Sequence, residues 1–507
     1  MLPVGVYIAA LFVVSITHWV YRWRNPKCNG NLPPGSMGWP LLGETLQLIA
    51  PTQTLDTPSF ITNRIKRYGS IYRTSLLGAR VIISTDSELT NMILQQDGQS
   101  FKGWYPPSIK RLLGSVGIAL IEGSLSKHLK SMMRTVVGPQ SLKKAFSEIE
   151  SVATTNMEKW ASQESVELKT AVADMIFEYM GKKLISYDPE KSSENLRENF
   201  DSFIQGAVSL PLRIPGTAYY KCLQGKKKVM MMLKNMLEAR QAKPNKVHND
   251  FFDYVLEELK QNDTILTEEM SLELVFGLLI VNFETISQAI TVAIKFLTEN
   301  PQALKELTEE HRKILDNREN TKAGLTWEEY KSMTFTFQVI NETLRLGGIA
   351  TIIFREAVKD IKYKDYTIPA GWVVAVCPPV VHLDPVNYKD PLNFNPWRWE
   401  GIELKGASKS FMAFGGGLRY CTGADFAKFQ MAIFLHCLVT KYRWKLIKGG
   451  DIVRTPTVQF PNGFHVQIFE KENKIQHLNQ LCLIISFYFN IKNKDCFISV
   501  CNSCISV

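Results

Sequence analysis

The chain has 507 residues, of which 45% are hydrophobic and 21% are charged, and its formal net charge is +10. This composition excludes a disordered or collagen-like chain, and the length permits a large buried core. Nine cysteines without a paired spacing pattern do not indicate a disulfide framework. The basic run at 226–228 is accompanied by no nucleic-acid motif. We therefore expect it to be a solvated face and expect no nucleic-acid partner.

The N-terminal segment 2–20 contains no charged residue and is close to the length that a bilayer requires. Positive charges and aromatic residues follow at 21–27, which predicts that the rest of the chain faces the cytosol. A cleaved signal peptide is the alternative, but a basic n-region and a small-residue cleavage site are both missing. We predict one transmembrane anchor over 1–21, followed by a basic stretch and proline-rich hinge over 22–43.

The pattern of the body predicts a mainly α fold with a small β portion. Short alternating runs at 72–84 and 366–376 are typical of strands, and most of 85–345 has helical periodicity. We find no repeat and no flexible linker in this part. The sequence therefore predicts one catalytic domain over 44–470.

One predicted helix is unusually long. Thr267 precedes two glutamates, as at a helix start, and Asn300-Pro301 ends the apolar run that comes after them. A helix of about 33 residues spans roughly 50 Å, enough to cross a domain. Glu284 and Thr285 stand in its middle. On their own, such residues in an apolar helix are most often a satisfied core pair.

Glu342 and Arg345 are spaced so that both side chains lie on one face of a helix and can pair. Taken alone, this spacing most often gives a surface ion pair that contributes little to stability. Arg398 follows in an aromatic segment at 394–399.

Segment 414–423 has the pattern F-x-x-G-x-R-x-C-x-G. Its glycines permit a tight turn, and Arg419 can donate a charge-assisted hydrogen bond. A helix predicted at 422–442, with residues such as Phe426 and Ile433 on one buried face, would place Cys421 at its N-terminus. Amide donors there stabilise a thiolate. The alternative is a buried structural cysteine in a glycine-rich turn.

This decamer resembles the haem-binding loop of the cytochrome P450 superfamily, and the upstream polar motifs occur in that family's order. The resemblance covers about 1–470 and implies the cytochrome P450 fold, with haem b bound by Cys421 as axial thiolate, which favours O–O cleavage. It implies further haem contacts from Phe414, Arg419, Arg355 and Lys130, although an exposed, solvated lysine remains an alternative for Lys130. It also implies proton delivery by Glu284 and Thr285, and a structural cluster of Glu342, Arg345 and Arg398.

The chain is most similar to plant members of the clan that oxidises sterols, brassinosteroids and triterpenes. This likeness implies an NADPH- and O2-dependent monooxygenase that hydroxylates or successively oxidises an apolar polycyclic triterpenoid or sterol. It implies NADPH–cytochrome P450 reductase and membrane lipid as partners, in the endoplasmic reticulum membrane. The apolar segments expected to line the substrate pocket are 101–123, 278–286, 349–353 and 458–464. The rival functions are a haem-thiolate isomerase or lyase, against which Glu284 and Thr285 argue, and an inactive sterol-binding haemoprotein.

Two regions depart from the family pattern. Val281, Asn282 and Ile286 occupy positions where the family prefers small or hydroxylated residues. Segment 471–507 is rich in Cys, Ser, Asn and Ile, and its apolar run is too short for a second membrane span. We expect this atypical tail to lie outside the fold.

Overall fold

The computed structural model of the protein describes residues 4–471, apart from 115–120, 190–195, 208, 244–246, 319, 321–323, 405, 407 and 456. Nearly all of the predicted tail, and part of the predicted pocket segment 101–123, lie outside the described residues. The described chain is mainly α-helical with small sheets, as predicted.

Helices make up most of the body. In chain order they are α1 (Val4–Arg24), α2 (Thr45–Leu48), α3 (Ser59–Tyr68), α4 (Ser87–Gln95), α5 (Pro107–Leu113), α6 (Gly123–Val137), α7 (Pro139–Ala161), α8 (Leu168–Ile185), α9 (Leu196–Ala207), α10 (Ala218–Gln241), α11 (Phe251–Leu259), α12 (Glu268–Glu299), α13 (Pro301–Asp316), α14 (Trp327–Ser332), α15 (Thr334–Gly347), α16 (Pro378–His382) and α17 (Ala424–Lys441). Short 3-10 turns occupy Pro396–Trp399 and Gly417–Arg419.

The strands form small sheets at the edge of the helical body. They are β1 (Ile71–Leu76), β2 (Ala79–Ser84), β3 (Phe101–Gly103), β4 (Val166–Glu167), β5 (Ile353–Ala357), β6 (Ile361–Tyr363), β7 (Tyr366–Ile368), β8 (Val373–Val376), β9 (Tyr442–Gly449), β10 (Val453–Thr455), β11 (Thr457–Gln459) and β12 (Phe464–Glu470). The largest sheet has the order β1-β2-β8-β5-β3, in which only β2 and β8 run parallel. A second sheet has the order β4-β12-β9, and β6-β7 and β10-β11 are hairpins.

The alternating run at 366–376 does not form one strand. Tyr366–Ile368 pairs with β6, whereas Val373–Val376 lies between β2 and β5 in the largest sheet. A tight turn separates the two strands: the amide of Trp372 donates to the carbonyl of Pro369 at 3.2 Å, and Gly371 within the turn has a φ of +77°. Both halves are strands, as predicted, but they belong to different sheets.

Helix α12 crosses the body as the sequence predicts. The side chain of Thr267 accepts a hydrogen bond from the backbone of Met270, and the helix ends one residue before Asn300. Most of its side chains are buried, and it packs against α8, α15 and α17. Although α12 is apolar and long enough to span a membrane, 72% of its most apolar stretch is buried inside the protein. It is therefore the core helix around which the site is built.

Helix α17 forms where it was predicted and is buried on nearly every side, including the residues predicted to share one face. Residues 429–439 are all buried, because α7, α12, α13 and α15 pack around this helix. It also begins at Ala424, two residues later than predicted.

Helix α1 has no buried residue, and it is apolar and long enough to cross a membrane. The proline-rich segment after it contacts the body. Arg73 of β1 donates to the carbonyl of Pro33 at 2.7 Å from its side chain and to that of Pro34 at 2.8 Å from its backbone. The chain is therefore fixed to the largest sheet from about residue 33 onward.

Candidate active site

The loop around Cys421 is held by its own backbone. The amide of Cys421 donates to the carbonyl of Phe414 at 3.0 Å, and the amide of Ala424 donates to the carbonyl of Cys421 at 3.3 Å. Gly417 has a φ of +61°, and a Cβ at this position would lie 1.8 Å from the carbonyl oxygen of Leu94. Glycine is therefore required here, because the loop passes against the end of α4.

Cys421 has solvent-accessible surface although other protein groups crowd its sulfur. Burial raises the pKa of the Cys421 thiol, whereas a hydrogen bond from the Gly423 amide and the charge of Lys130 lower it. Both of these groups favour the thiolate.

Lys130 of α6 lies against the cysteine loop, where its ammonium donates to the carbonyl of Leu418. Burial, followed by the charges of Arg419 and Arg134, lowers the pKa of Lys130. Its side chain is therefore placed at the loop and is not a solvated surface lysine. Phe414, which begins the loop, has the ammonium of Lys428 over its ring at 5.8 Å.

Arg355 and Arg419 share one buried carboxylate, and we call these two residues and Asp97 the Asp97 cluster. The Nε atoms of Arg355 and Arg419 lie 3.2 and 2.6 Å from the same Oδ2 of Asp97, which is 2% exposed. Glu122, at the exposed rim, contacts Arg419 at 3.1 Å. Sequence reasoning missed Asp97, because an isolated Asp-Gly pair between a helix and a strand most often indicates a turn.

One face of α12 borders open space. Val281 and Thr285, four residues apart, are exposed, whereas Phe283 and Ile286 are buried. The hydroxyl of Thr285 donates to the carbonyl of Val281 at 2.7 Å. Of the three family departures, Asn282 and Ile286 lie on the buried side, so only Val281 affects the open face.

Glu284 is held by a lysine that sequence reasoning did not find. The Nζ atom of Lys169, on α8, lies 2.8 Å from Oε1 of Glu284. Both side chains are partly exposed, at 36% and 25%. The carboxylate is therefore balanced by a cation from a neighbouring helix. The two positions are 115 residues apart in the sequence, so no local pattern could have paired them.

Glu342, Arg345 and Arg398 meet in the core and form the Glu342 cluster. Arg345 donates to both carboxylate oxygens of Glu342, at 2.9 and 2.8 Å, and neither residue is exposed. Arg398 donates to the same carboxylate at 3.0 Å. The indole N–H of Trp399 and the backbone amide of Asn395 also donate to this carboxylate, both at 2.9 Å.

The arrangement fits a thiolate-bound haem. An exposed cysteine stands three residues before α17, and the Asp97 cluster places two arginines, one of them in the cysteine loop, against one buried carboxylate. Arg355, Arg419 and Lys130 are donors suited to haem propionates. When bound, a haem with thiolate ligation supplies oxygen activation. Fold and site together define a haem-thiolate protein.

The comparisons with known proteins agree with this class. The family model for Cytochrome P450 matches residues 33–472 of the chain. The chain belongs to the cytochrome P450 family, and it is a cytochrome P450 monooxygenase.

Named relatives are found among plant proteins. Cytochrome P450 87A3 of Oryza sativa subsp. japonica is 50% identical over 456 residues, which cover 89% of this chain and 89% of the relative. Beta-amyrin 16-alpha-hydroxylase CYP87D16 of Maesa lanceolata is 40% identical over 474 residues, which cover 93% of this chain and 100% of the relative.

A solved structure shares the fold. The retinoic acid-bound cyanobacterial CYP120A1 superposes with a TM-score of 0.76 at 24% identity, covering 87% of this chain and all of that one. At this level of identity, the likeness concerns the fold alone.

Proposed function

We propose that this protein is a membrane-anchored monooxygenase that hydroxylates, or successively oxidises, a triterpenoid or sterol with O2 and electrons from NADPH. The observation that carries the proposal is the open face of α12, where Thr285 and the lysine-paired Glu284 stand beside each other in the core helix of a haem-thiolate fold. A proton-delivering pair is required for oxygen activation and has no role in a protein that merely binds sterol.

The substrate class is supported by the surroundings of the site and by a relative. The segments expected to line the pocket, 349–353 and 278–286, are almost uncharged, which suits a bulky apolar ligand. A relative that aligns over its full length is named as a hydroxylase of beta-amyrin. An anchored enzyme also meets molecules dissolved in the lipid.

We propose NADPH–cytochrome P450 reductase as the electron donor. Leu418 is 65% exposed in the middle of the cysteine loop, so the loop itself is accessible from outside. The formal net charge of the chain is +10. An exposed loop on a basic protein suits an acidic flavoprotein.

The membrane is proposed to be that of the endoplasmic reticulum, crossed once by α1, with the catalytic body in the cytosol. Helix α1 has no buried residue, and Arg22 and Arg24 stand in its last turn. Positive charge at this end predicts a cytosolic location for the body of the chain.

The test is co-expression with a reductase in microsomes, followed by incubation with a tetracyclic triterpene, a pentacyclic triterpene, a phytosterol and a fatty acid. We expect NADPH-dependent products that are heavier by one oxygen atom from at least one polycyclic substrate. Products formed without NADPH would indicate an isomerase or lyase, and binding without turnover would indicate an inactive relative. Turnover of the fatty acid alone would overturn the substrate class.

A further inference from the structure

Arg454, on β10, is a buried guanidinium whose donors are only partly used. Its side chain is 1% exposed. Nη2 donates to the carbonyls of Leu55 and Leu346 at 3.1 and 3.3 Å. Among the described residues, Nε and Nη1 have no hydrogen-bond acceptor. A guanidinium carries five N–H donors, so the three on these two nitrogens are not satisfied by the described protein.

Arg454 differs in this respect from the other buried arginines of the core. Arg345 is paired with Glu342 at 2.8 Å, and Arg240 is paired with Asp250 at 2.6 Å. Within the described chain, no carboxylate lies within 4.0 Å of Arg454, since Asp56 acts on it only from farther away. Burial lowers the pKa of Arg454 to about 10, so the group remains charged at neutral pH. A buried charge of this kind is costly unless an acceptor reaches it.

The side chain lines a small apolar cavity. Leu48, Ile61, Thr351 and Ile352 are among its lining residues, and its space of about 270 Å³ includes open solvent. The enclosed part has room for a group about the size of one water molecule. One oxygen atom therefore fits beside the guanidinium, whereas a sugar or a phosphate does not.

The position of Nη1 is fixed by a neighbouring glycine. Gly348 has a φ of +53°, and a Cβ added there would lie 2.6 Å from Nη1 of Arg454 and 3.4 Å from Cγ of Pro379. Pro379 belongs to the lining of the cavity. The unsatisfied nitrogen therefore lies at the wall of the cavity.

Chain neighbours of the residues that line the cavity contact the active site. Thr351 and Ile352 lead directly into Ile353, whose Cδ1 would lie 3.9 Å from a Cβ on Gly415 of the cysteine loop. On the other side, Arg454 pairs with Val458 across the β10-β11 hairpin, and the carbonyl of Val458 accepts a hydrogen bond from Gln288 of α12. Gln288 is about one helical turn beyond Glu284.

We propose that Arg454 is a specificity-determining residue that donates hydrogen bonds to one oxygen atom of the substrate, a hydroxyl or a carbonyl, at the end of the skeleton turned away from Cys421. This inference rests on the proposed function, and it narrows the substrate class to polycyclic terpenoids that already carry an oxygen. A guanidinium can only donate hydrogen bonds, so it favours a substrate with an acceptor oxygen at this end and forms no hydrogen bond with a hydrocarbon that lacks one.

The experiment compares matched ligands on the full-length, haem-loaded protein in lipid nanodiscs. The probes are a triterpene alcohol, the corresponding ketone and the corresponding hydrocarbon without the oxygen, each titrated by the spin-state shift of the Soret band. In the unaltered protein we expect the hydrocarbon to bind about 10- to 100-fold more weakly than the alcohol, the usual effect of a hydrogen bond to a charged group.

Two variants assign the effect to Arg454. Arg454→Met should bring alcohol and hydrocarbon within about threefold of each other, because the donor is lost. Thr351→Phe leaves the guanidinium in place but fills the cavity, so it should also remove the preference for the alcohol. This variant provides the test if Arg454→Met does not incorporate haem. Arg443→Met, which removes an exposed arginine on β9, is the matched control and should keep the preference.

Three outcomes contradict the inference in different ways. Equal affinity for alcohol and hydrocarbon in the unaltered protein overturns it directly and means that water alone satisfies Arg454. A preference that survives both Arg454→Met and Thr351→Phe overturns it because the oxygen is then recognised elsewhere. Absence of any spin shift with every terpenoid overturns the proposed substrate class, and the inference fails with it.

Discussion

The Glu342 cluster and the Asp97 cluster are both built from two arginines and one carboxylate, and they differ in their surroundings. The Glu342 carboxylate receives two arginines, an indole and a backbone amide, and Arg345 also donates to the carbonyls of His382 and Pro391 at 2.7 Å. In the Asp97 cluster, two guanidinium groups face a single carboxylate, with Glu122 only at the exposed rim. Both clusters set two arginines against one carboxylate, but the first lies in the core and is closed by backbone carbonyls, whereas the second includes Arg419 of the cysteine loop, where we propose that a haem propionate is held.

This difference separates residues that hold the scaffold from residues that hold a ligand. Buried charges that only stabilise a fold are paired and hydrogen-bonded. A buried cation that is only partly balanced costs stability, so its presence calls for an explanation. Arg454 belongs with the second kind.

The largest expected effect follows from breaking the Glu342 cluster. Glu342→Gln leaves two buried guanidinium groups without their carboxylate, at a cost of about 3–5 kcal/mol, a large share of a domain's stability. We expect almost no soluble haemoprotein, as measured by the carbon monoxide difference spectrum and by thermal unfolding. Glu400→Gln, at an exposed position nearby, is the control. A stable Glu342→Gln haemoprotein would show that the cluster is not essential to the scaffold.

Replacing the proposed axial ligand, Cys421, should reduce the amount of folded protein less than Glu342→Gln does, but it should remove the spectral signature completely. Cys421→Ser should abolish the red-shifted Soret band of the reduced carbon monoxide complex, because the sulfur is the proposed axial ligand. The body should remain folded by circular dichroism, since Cys421 takes no part in the Glu342 cluster. Cys28→Ser is the matched control and should keep the band. Persistence of the band in Cys421→Ser would refute the assignment.

Substitutions on the open face of α12 should leave haem binding intact and change the fraction of NADPH electrons that ends in product. Thr285→Ala should divert reducing equivalents to peroxide, and Glu284→Gln should slow turnover, by about 10- to 100-fold or more, because proton delivery is impaired. Lys169→Met should also change turnover, since it frees the Glu284 carboxylate. NADPH consumption, peroxide and product are measured together.

Thr308→Ala is the control for this prediction, because Thr308 makes the same kind of bond, at 2.8 Å, to the carbonyl of Leu304 on a different helix, α13. Normal coupling in Thr285→Ala, Glu284→Gln and Lys169→Met alike would mean that proton delivery runs through other groups.

The scaffold should also show a defined sensitivity to acid. The Nδ1 atoms of His311 and His436 lie 2.9 Å apart in the core. Burial lowers the pKa of His436 to about 3, and burial followed by the charge of His436 lowers the pKa of His311 well below 6.5. As the pH falls below 6.5, these two histidines become protonated in the unfolded chain but stay neutral in the folded protein. The free energy of unfolding therefore decreases. The decrease is at most about 1.4 kcal/mol per pH unit for each histidine.

Denaturant unfolding between about pH 5 and pH 7 measures this slope. His436→Gln should make it shallower by one proton. A slope that is unchanged in His436→Gln would exclude the buried pair as its source.

The smallest effect is expected from the tail. A chain ending after Glu472 should retain its haem content and activity, because the last strand, β12, is already paired with β4 and β9. Haem content by the carbon monoxide difference spectrum checks this, with the full-length chain as reference. Loss of haemoprotein would place the tail within the fold.

Sequence reasoning reached those parts of the molecule in which local pattern determines structure. The cap at Thr267, the extent of α12 and the pairing of Glu342 with Arg345 follow from spacing within one helix. It failed where packing decides. The burial of the remaining sides of α17 follows from packing, and Asp97 and Lys169 reach their partners across long stretches of chain that carry no signal. Arg454 gave no sequence signal either, because only the fold shows that it is buried without a carboxylate.

The hydrogen bond from the Thr285 hydroxyl to the carbonyl of Val281 determines how Thr285 can hydrogen-bond on the open face of α12. A hydroxyl has one hydrogen and two lone pairs, and here the hydrogen points back into the helix. A molecule that approaches this face therefore meets lone pairs at Thr285 and must itself supply the hydrogen. In this orientation the Thr285 hydroxyl accepts a hydrogen bond from a donor but has no hydrogen to donate to an acceptor. A proton that Thr285 passes on must therefore first reach its hydroxyl from another group, such as the neighbouring Glu284.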